Sequence, residues 1–396
     1  MDGYLHPDFS LIGEALRGQL NGSRGGASLC VYHRGKKVVD LWGGARDEWG
    51  TPWSEDTMSP SFSTSKGVAS TTLHALADKG LLDYDDPVAK HWPEFAQAGK
   101  EGITVRHVMA HQSGLYHLRQ MLDHAEQMLD WKYVTEAIAR AEPVHPPGER
   151  SGYHGLSYGF IVGEVIQRVT GLPFSQVVQD ELVAPLELDG LYIGAPEEAL
   201  PRAARLILPE RGFLLEGPVV VERAATALQW VLARFGVKTH VGGLLELSPR
   251  GLSSLDFSAS ETLRAAMPSH NGLFTARSLA KMYAALAGGG EVDGVRLLSE
   301  RTVHRATEPQ SRPAHAFPWP IDMHWCLGYH RPFTTRGGPE GAFGHYGFGG
   351  SGAFAYPRQH LAVGMIVNSG SGTPFADLRM AQIATAAIRC ATDRSS

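Results

Sequence analysis

Strand-forming segments sit at both ends of this chain and helical ones in its middle, and that order narrows the folds open to it. ASLCVYHRGKKVVDLWGG (27–44) reads as two strands joined by a turn at Arg34-Gly35-Lys36. WCLGYHRPF (325–333), SGAFAYP (351–357) and HLAVGMIVNS (360–369) read as further strands. Helical spacing of apolar residues marks 8–20, 64–79, 104–110, 119–141, 157–170, 174–182, 273–288 and a closing stretch, 376–390. Neighbouring strands joined by short turns imply an antiparallel sheet. The predicted architecture is α/β of the α+β type, with helices flanking that sheet. One sheet-containing domain is expected from residues 1–80 and 265–396, with a mainly helical region, 81–264, inserted into it. Within the insert, 186–260 is hard to read. Trp230, Phe235 and Leu244 to Leu247 there are expected to cover a cleft and set specificity.

Composition removes several functions. The 36 basic and 41 acidic residues give a net charge of −5, and no basic block is present. A nucleic-acid partner would call for a clustered basic face. The longest apolar runs, such as Leu361 to Val367, are of strand length, far short of the ~20 residues a membrane helix needs. MDGYLHPDFS does not read as a signal peptide. Cys30, Cys326 and Cys390 are odd in number and widely spaced, and are expected to be reduced, buried thiols of a cytoplasmic protein. Oligomeric state is left open.

Three serines compete as nucleophile. Ser-x-x-Lys occurs at Ser63-Thr64-Ser65-Lys66 and again at Ser278-Leu279-Ala280-Lys281. The chemistry needs the serine at a helix N-terminus, where the dipole and free N–H groups favour charge on Oγ. It also needs the lysine one turn on, within reach of the hydroxyl proton. Ser63 meets both conditions, whereas Ser278 falls inside a helix already begun and is expected to bond a backbone carbonyl. The alternative for Ser63 is a plain helix cap. Gly155-Leu156-Ser157-Tyr158-Gly159 is a formal G-x-S-x-G, but the Pro- and Gly-rich PVHPPGERSGYHG before it is no buried strand.

Read together, SFSTSKGVAS (61–70), GLLDYDDPVAKHWPEF (80–95), ITVRHVMAHQSGL (103–115), PPGERSGYHGLSYGFIVGEVI (146–166), PSHNGLFTARSLAKMYAAL (268–286), DGVRLLS (293–299) and FGHYGFGGSGAFAYP (343–357) resemble the β-lactamase-related, penicillin-binding-protein-like serine hydrolases. The similarity is closest to their esterase branch, the family VIII carboxylesterases, and spares only 186–260. It implies a β-lactamase-like fold with Ser63 as nucleophile, Lys66 as its lysine and Tyr153 as the tyrosine that helps shuttle the proton. His345-Tyr346-Gly347 matches the third motif. The N–H groups of Ser63 and Phe348 would then form the oxyanion hole, and Gly155, His345 and Gly347 would contact substrate.

Two departures from the β-lactamases turn the expectation toward carboxylic esters. Gly155 stands where those enzymes place an Asn that holds a substrate amide. His345, largely neutral at pH 7, replaces the lysine that favours a substrate carboxylate. The expected activity is hydrolysis of a small-molecule ester through an acyl-enzyme. An acyltransferase on the same machinery is the alternative, and a β-lactamase or D-amino-acid peptidase a weaker one. No cofactor is expected. His107 and His111 are four apart on one helical face, but Val108 stands in place of the glutamate of H-E-x-x-H, so they read as packing residues.

Overall fold

A computed structural model describes residues 1–207, 247–310, 323–370 and 377–394 of the chain. Six strands form one antiparallel sheet: β1 (Asp2–Leu5), β2 (Ala27–His33), β3 (Lys36–Gly43), β4 (Phe343–Tyr346), β5 (Gly352–Tyr356) and β6 (Leu361–Val367). Their spatial order is β1-β3-β2-β6-β5-β4. The N- and C-terminal segments meet at the β2–β6 pair, where Val31 faces Val363 and Leu29 faces Met365.

The pleat sends alternate side chains to two layers. Leu29, Val31, Val363 and Met365 point toward α1 (Ser10–Leu20) and the C-terminal helix Arg379–Asp393, packing against Ile12, Leu16 and Ile383. The opposite face carries Cys30, Ala353, Ala355 and Ala362 and packs against the helices α2 (Thr64–Asp78), α3 (Ser157–Thr170) and α4 (Ala276–Ala287). Its small residues let α4 come very close. A Cβ on Gly364 would lie 2.7 Å from the Ala276 carbonyl and 2.8 Å from the Ala280 nitrogen. Gly67 plays the same part on α2, where a Cβ would strike the Tyr283 hydroxyl of α4.

A second, three-stranded sheet joins Ser59–Pro60, Leu273–Phe274 and Leu191–Tyr192. It brings the residues just before α2 against the 267–272 segment: Ser61 N–H donates to Gly272 O and Gly272 N–H to Ser65 Oγ.

Some expectations need correction. Residues 325–333 are not a strand; Cys326 N–H turns back to Tyr329 O, Gly328 takes φ 79°, and Pro332 cannot donate to a ladder. The stretch 119–141 is not one helix. Only Trp131–Arg140 is α-helical, capped by the Asp130 carboxylate on Tyr133 N–H. Helix α4 starts at Ala276, not 273, because Leu273–Phe274 is strand and Thr275 caps Ser278 N–H. Strands β1 and β4 were not expected at all. Trp230, Phe235 and Leu244 to Glu246 fall outside the described residues, and Leu247 falls within them. Cys30, Cys326 and Cys390 are buried and unpaired. Among the described residues no helix is long and apolar enough to cross a membrane.

Gly364→Val would force α4 off the sheet and should lower the unfolding free energy by about 1–3 kcal/mol, the usual cost of overpacking. Urea denaturation measures this. Wild-type stability would mean that the α4–sheet contact is loose.

Candidate active site

Ser63 immediately precedes α2, and its hydroxyl makes no cap hydrogen bond to the helix it begins. The plain-cap alternative therefore fails. Phe62 before it takes φ 43°, a left-handed conformation unfavourable for a bulky side chain. The rings of Phe257, His270 and Phe348, each about edge-on, hold it there. Strain of this kind persists only where the surroundings over-determine it.

Two groups reach the Ser63 hydroxyl. Lys66 Nζ lies 3.1 Å from Oγ, and Tyr153 O–H donates to Oγ at 2.8 Å. Lys66 is 0% exposed and makes two further bonds, to Gly155 O at 2.7 Å and Ser269 O at 3.1 Å. Burial alone drives its pKa well below the ordinary lysine value. A neutral amine has two N–H groups and one lone pair. The two carbonyls can only accept, so they use both N–H groups and leave the lone pair for the serine proton.

Tyr153 is stacked on Trp325, with ring planes 8° apart and centroids separated by 5.6 Å, and His111 packs against both rings. Enclosure pushes the phenol pKa up, against a smaller opposing effect of its bond to Ser63. It stays protonated and donates.

The third motif lies on β4. His345 is buried, and burial drives its pKa well below the ordinary histidine value, with His330 and Lys66 adding to the effect. Its Nδ1 is 3.0 Å from Tyr346 O, so Nδ1 carries the proton and Nε2 is a bare acceptor. Nε2 has no hydrogen-bond partner among the described residues.

These groups share a cavity of about 370 Å³, lined by Ser63, Tyr153, Gly155, His345, Gly347 and Phe348 among others. Leu247, Ser248 and Leu252 supply wall from the end of the segment that was hard to read. Among the described lining residues none is Lys or Arg, and the one acid, Asp377, is paired with Arg379 at 2.6 Å.

The other candidates lie apart from this chemistry. Ser278 Oγ donates to Asp189 O, and Lys281 pairs with Asp293. Ser157 Oγ is buried and donates to Leu115 O, at the start of a helix that no strand precedes. The His107 ring accepts Thr104 N–H within a capping box, and no cluster that could hold a metal occurs among the described residues.

Sequence reasoning missed Ser269, Trp325 and His330. Ser269 acts through its carbonyl, which no side-chain pattern reveals. Trp325 and His330 lay in a stretch expected to be strand.

A sequence profile described as Beta-lactamase matches residues 12–388. The chain is 36% identical to the esterase/beta-lactamase LipL of Mycobacterium tuberculosis over 371 residues, 92% of this chain and 82% of that protein. Among solved structures it resembles a penicillin-binding protein homologue from Caulobacter crescentus, at 32% identity and TM-score 0.81 over 98% of this chain and 99% of that one. It resembles a family VIII carboxylesterase equally, at 31% identity, TM-score 0.81 and the same coverage.

Ser63→Ala should lower turnover of a suitable ester by ~10⁴-fold or more, as loss of a nucleophile does elsewhere. Lys66→Ala and Tyr153→Phe should each be severe, and the double variant little worse than the worse single one, because one proton-transfer unit is non-additive. Additive losses would place the two residues in separate steps. The protonated amine has no lone pair, so kcat/KM should fall as pH drops through the Lys66 pKa. That midpoint should lie well below the ordinary lysine value. A pH profile still climbing at an unshifted lysine pKa would contradict it.

Proposed function

The chain belongs to the beta-lactamase family of serine hydrolases, and we propose that it hydrolyses carboxylic esters of neutral acids through an acyl-enzyme on Ser63. The carrying observation is the neutral, acceptor-only face of His345 in a cavity whose described lining includes no cation. Among the described lining residues a substrate carboxylate finds no positive partner, and it meets a lone pair on His345. A neutral acyl group needs none. The family VIII carboxylesterase and the esterase part of LipL's name support the ester reading; LipL is also named a beta-lactamase, and the nitrocefin comparison below separates the two.

In the proposed mechanism the Ser63 proton passes to the Lys66 lone pair as Oγ attacks the ester carbon. The tetrahedral oxyanion is met by the backbone N–H groups of Ser63 and Phe348, and the α2 dipole adds to the same stabilisation. Collapse breaks the C–O bond. The departing alkoxide takes a proton from Tyr153, which recovers one from the Lys66 ammonium. Water then repeats the sequence on the acyl-enzyme, its proton passing to Lys66 as its oxygen attacks, and Ser63 leaves protonated.

Short-chain p-nitrophenyl esters should be turned over, and nitrocefin should be at least ~10²-fold weaker in kcat/KM. The missing charge-assisted and neutral hydrogen bonds are together worth roughly 2.5–4 kcal/mol if they add. A Cβ at Gly155 meets only ordinary contact, with Leu247 Cβ at 3.4 Å, so the first atom of an asparagine side chain is accommodated there. Gly155→Asn combined with His345→Lys should raise lactam turnover relative to ester turnover. Equal wild-type rates on nitrocefin and p-nitrophenyl butyrate would sink the proposal.

A further inference from the structure

Strand β4 is the last strand of the sheet, and its outer edge faces the cavity beside Ser63. A free edge there would be a template for an amide-bearing substrate, which could add to it as an extra strand through main-chain hydrogen bonds. The edge is already occupied. Gly344 exchanges two backbone bonds with His330, N–H to O at 3.0 Å and O from N–H at 2.9 Å. One step along, where both residues line the cavity, Tyr346 N–H donates to the His330 ring nitrogen Nε2 at 3.0 Å. Tyr346 C=O accepts from His345 Nδ1–H at 3.0 Å. The peptide groups of Gly344 and Tyr346 that point outward are all bonded by two histidines.

The His330 ring is fixed in that role. Its Nδ1 lies 2.8 Å from Arg331 O, a carbonyl that can only accept, so Nδ1 bears the proton and Nε2 must be the acceptor. Edge-on packing of the His330 and His345 rings, with centroids 4.8 Å apart, holds the pair together. Chain connectivity does not require this arrangement. The backbone bonds to Gly344 would suffice to pair the strand, and the imidazole supplies the next rung.

We propose that His330, with His345, closes the β4 edge against acyl chains that carry an amide, and so selects plain alkyl esters. His330 is a specificity-determining residue in this reading, which rests on the ester reading above. An amide-bearing acyl chain must either leave its own N–H and C=O unpaired against the edge or displace the imidazole, whereas an alkyl chain loses nothing.

The test compares the p-nitrophenyl esters of N-acetylglycine and of valeric acid, which have similar length and the same leaving group. The expected wild-type result is a kcat/KM at least ~10-fold lower for the acetylglycyl ester, the worth of one to two neutral hydrogen bonds left unmade. His330→Ala frees Tyr346 N–H and should shift the acetylglycyl-to-valeryl ratio toward the amide by about fivefold, one such bond. His330→Gln, whose side-chain oxygen can still accept that N–H, should keep the wild-type ratio. Taking the ratio within each variant cancels any general loss of activity. A ratio unchanged in His330→Ala overturns the proposal, as does a wild-type ratio near one, which decides the matter even if the variant does not fold. Failure of the wild type to hydrolyse either ester would instead overturn the ester reading.

Discussion

Everything in the site depends on a lysine buried without a counter-charge. Lys66 is wholly enclosed, makes no salt bridge among the described residues, and has a hydroxyl and two carbonyls as its hydrogen-bond partners there. Deprotonating a lysine at pH 7 costs about 5 kcal/mol in water. Burying its ammonium unpaired costs several kcal/mol as well, so the two terms are comparable and the neutral amine becomes accessible. A carboxylate in place of either carbonyl would hold the proton on and remove the base. Tyr153 experiences the same enclosure with the opposite consequence, because for a phenol the neutral form is the donor. In the proposed mechanism one environment thus separates a base from an acid on the same serine oxygen.

The fold supplies that environment through close approach. Glycines at 67 and 364 let α2, α4 and the sheet approach to contact distance, and the three-stranded sheet pins the 267–272 segment against the start of α2. Within that segment Asn271, fully buried, accepts Met267 N–H and donates to Thr262 O and Ala265 O. Ser269 takes Gly159 N–H on its side chain and offers its carbonyl to Lys66. The second carbonyl, of Gly155, arrives from the loop before α3. Neither needs a particular side chain, so a glycine at 155 suffices to hold the lysine.

Much of the fold was legible because its signals are local. The hairpin at 27–44, the helices at 64–79 and 157–170 and the strand at 360–369 follow apolar periodicity and stop residues, and appear within a residue or two of their expected bounds. Strand β4 was not legible. Phe343-Gly344-His345-Tyr346 is short, contains a glycine, and is strand only because β5 and His330 pair with it from elsewhere in the chain. The 325–333 stretch failed for the converse reason, since its aromatic residues look like strand while Gly328 and Pro332 make it turn. In the site, Ser63 and Lys66 could be picked out by motif and Tyr153 by the family resemblance, and the structure places Lys66 and Tyr153 each within hydrogen-bond reach of Ser63 Oγ. The carbonyls that hold the Lys66 amine could not, because backbone acceptors leave no trace in sequence.

The central claim is that Ser63, and no other serine, receives the acyl group from a substrate ester. Rapid acid quench of the protein during turnover of p-nitrophenyl butyrate, followed by peptide mapping, tests it most directly. The expected result is a single butyryl adduct on the peptide containing Ser63, absent from the Lys66→Ala protein. An adduct on Ser157 or Ser278, or brisk turnover with no adduct on Ser63 at any quench time, would contradict it.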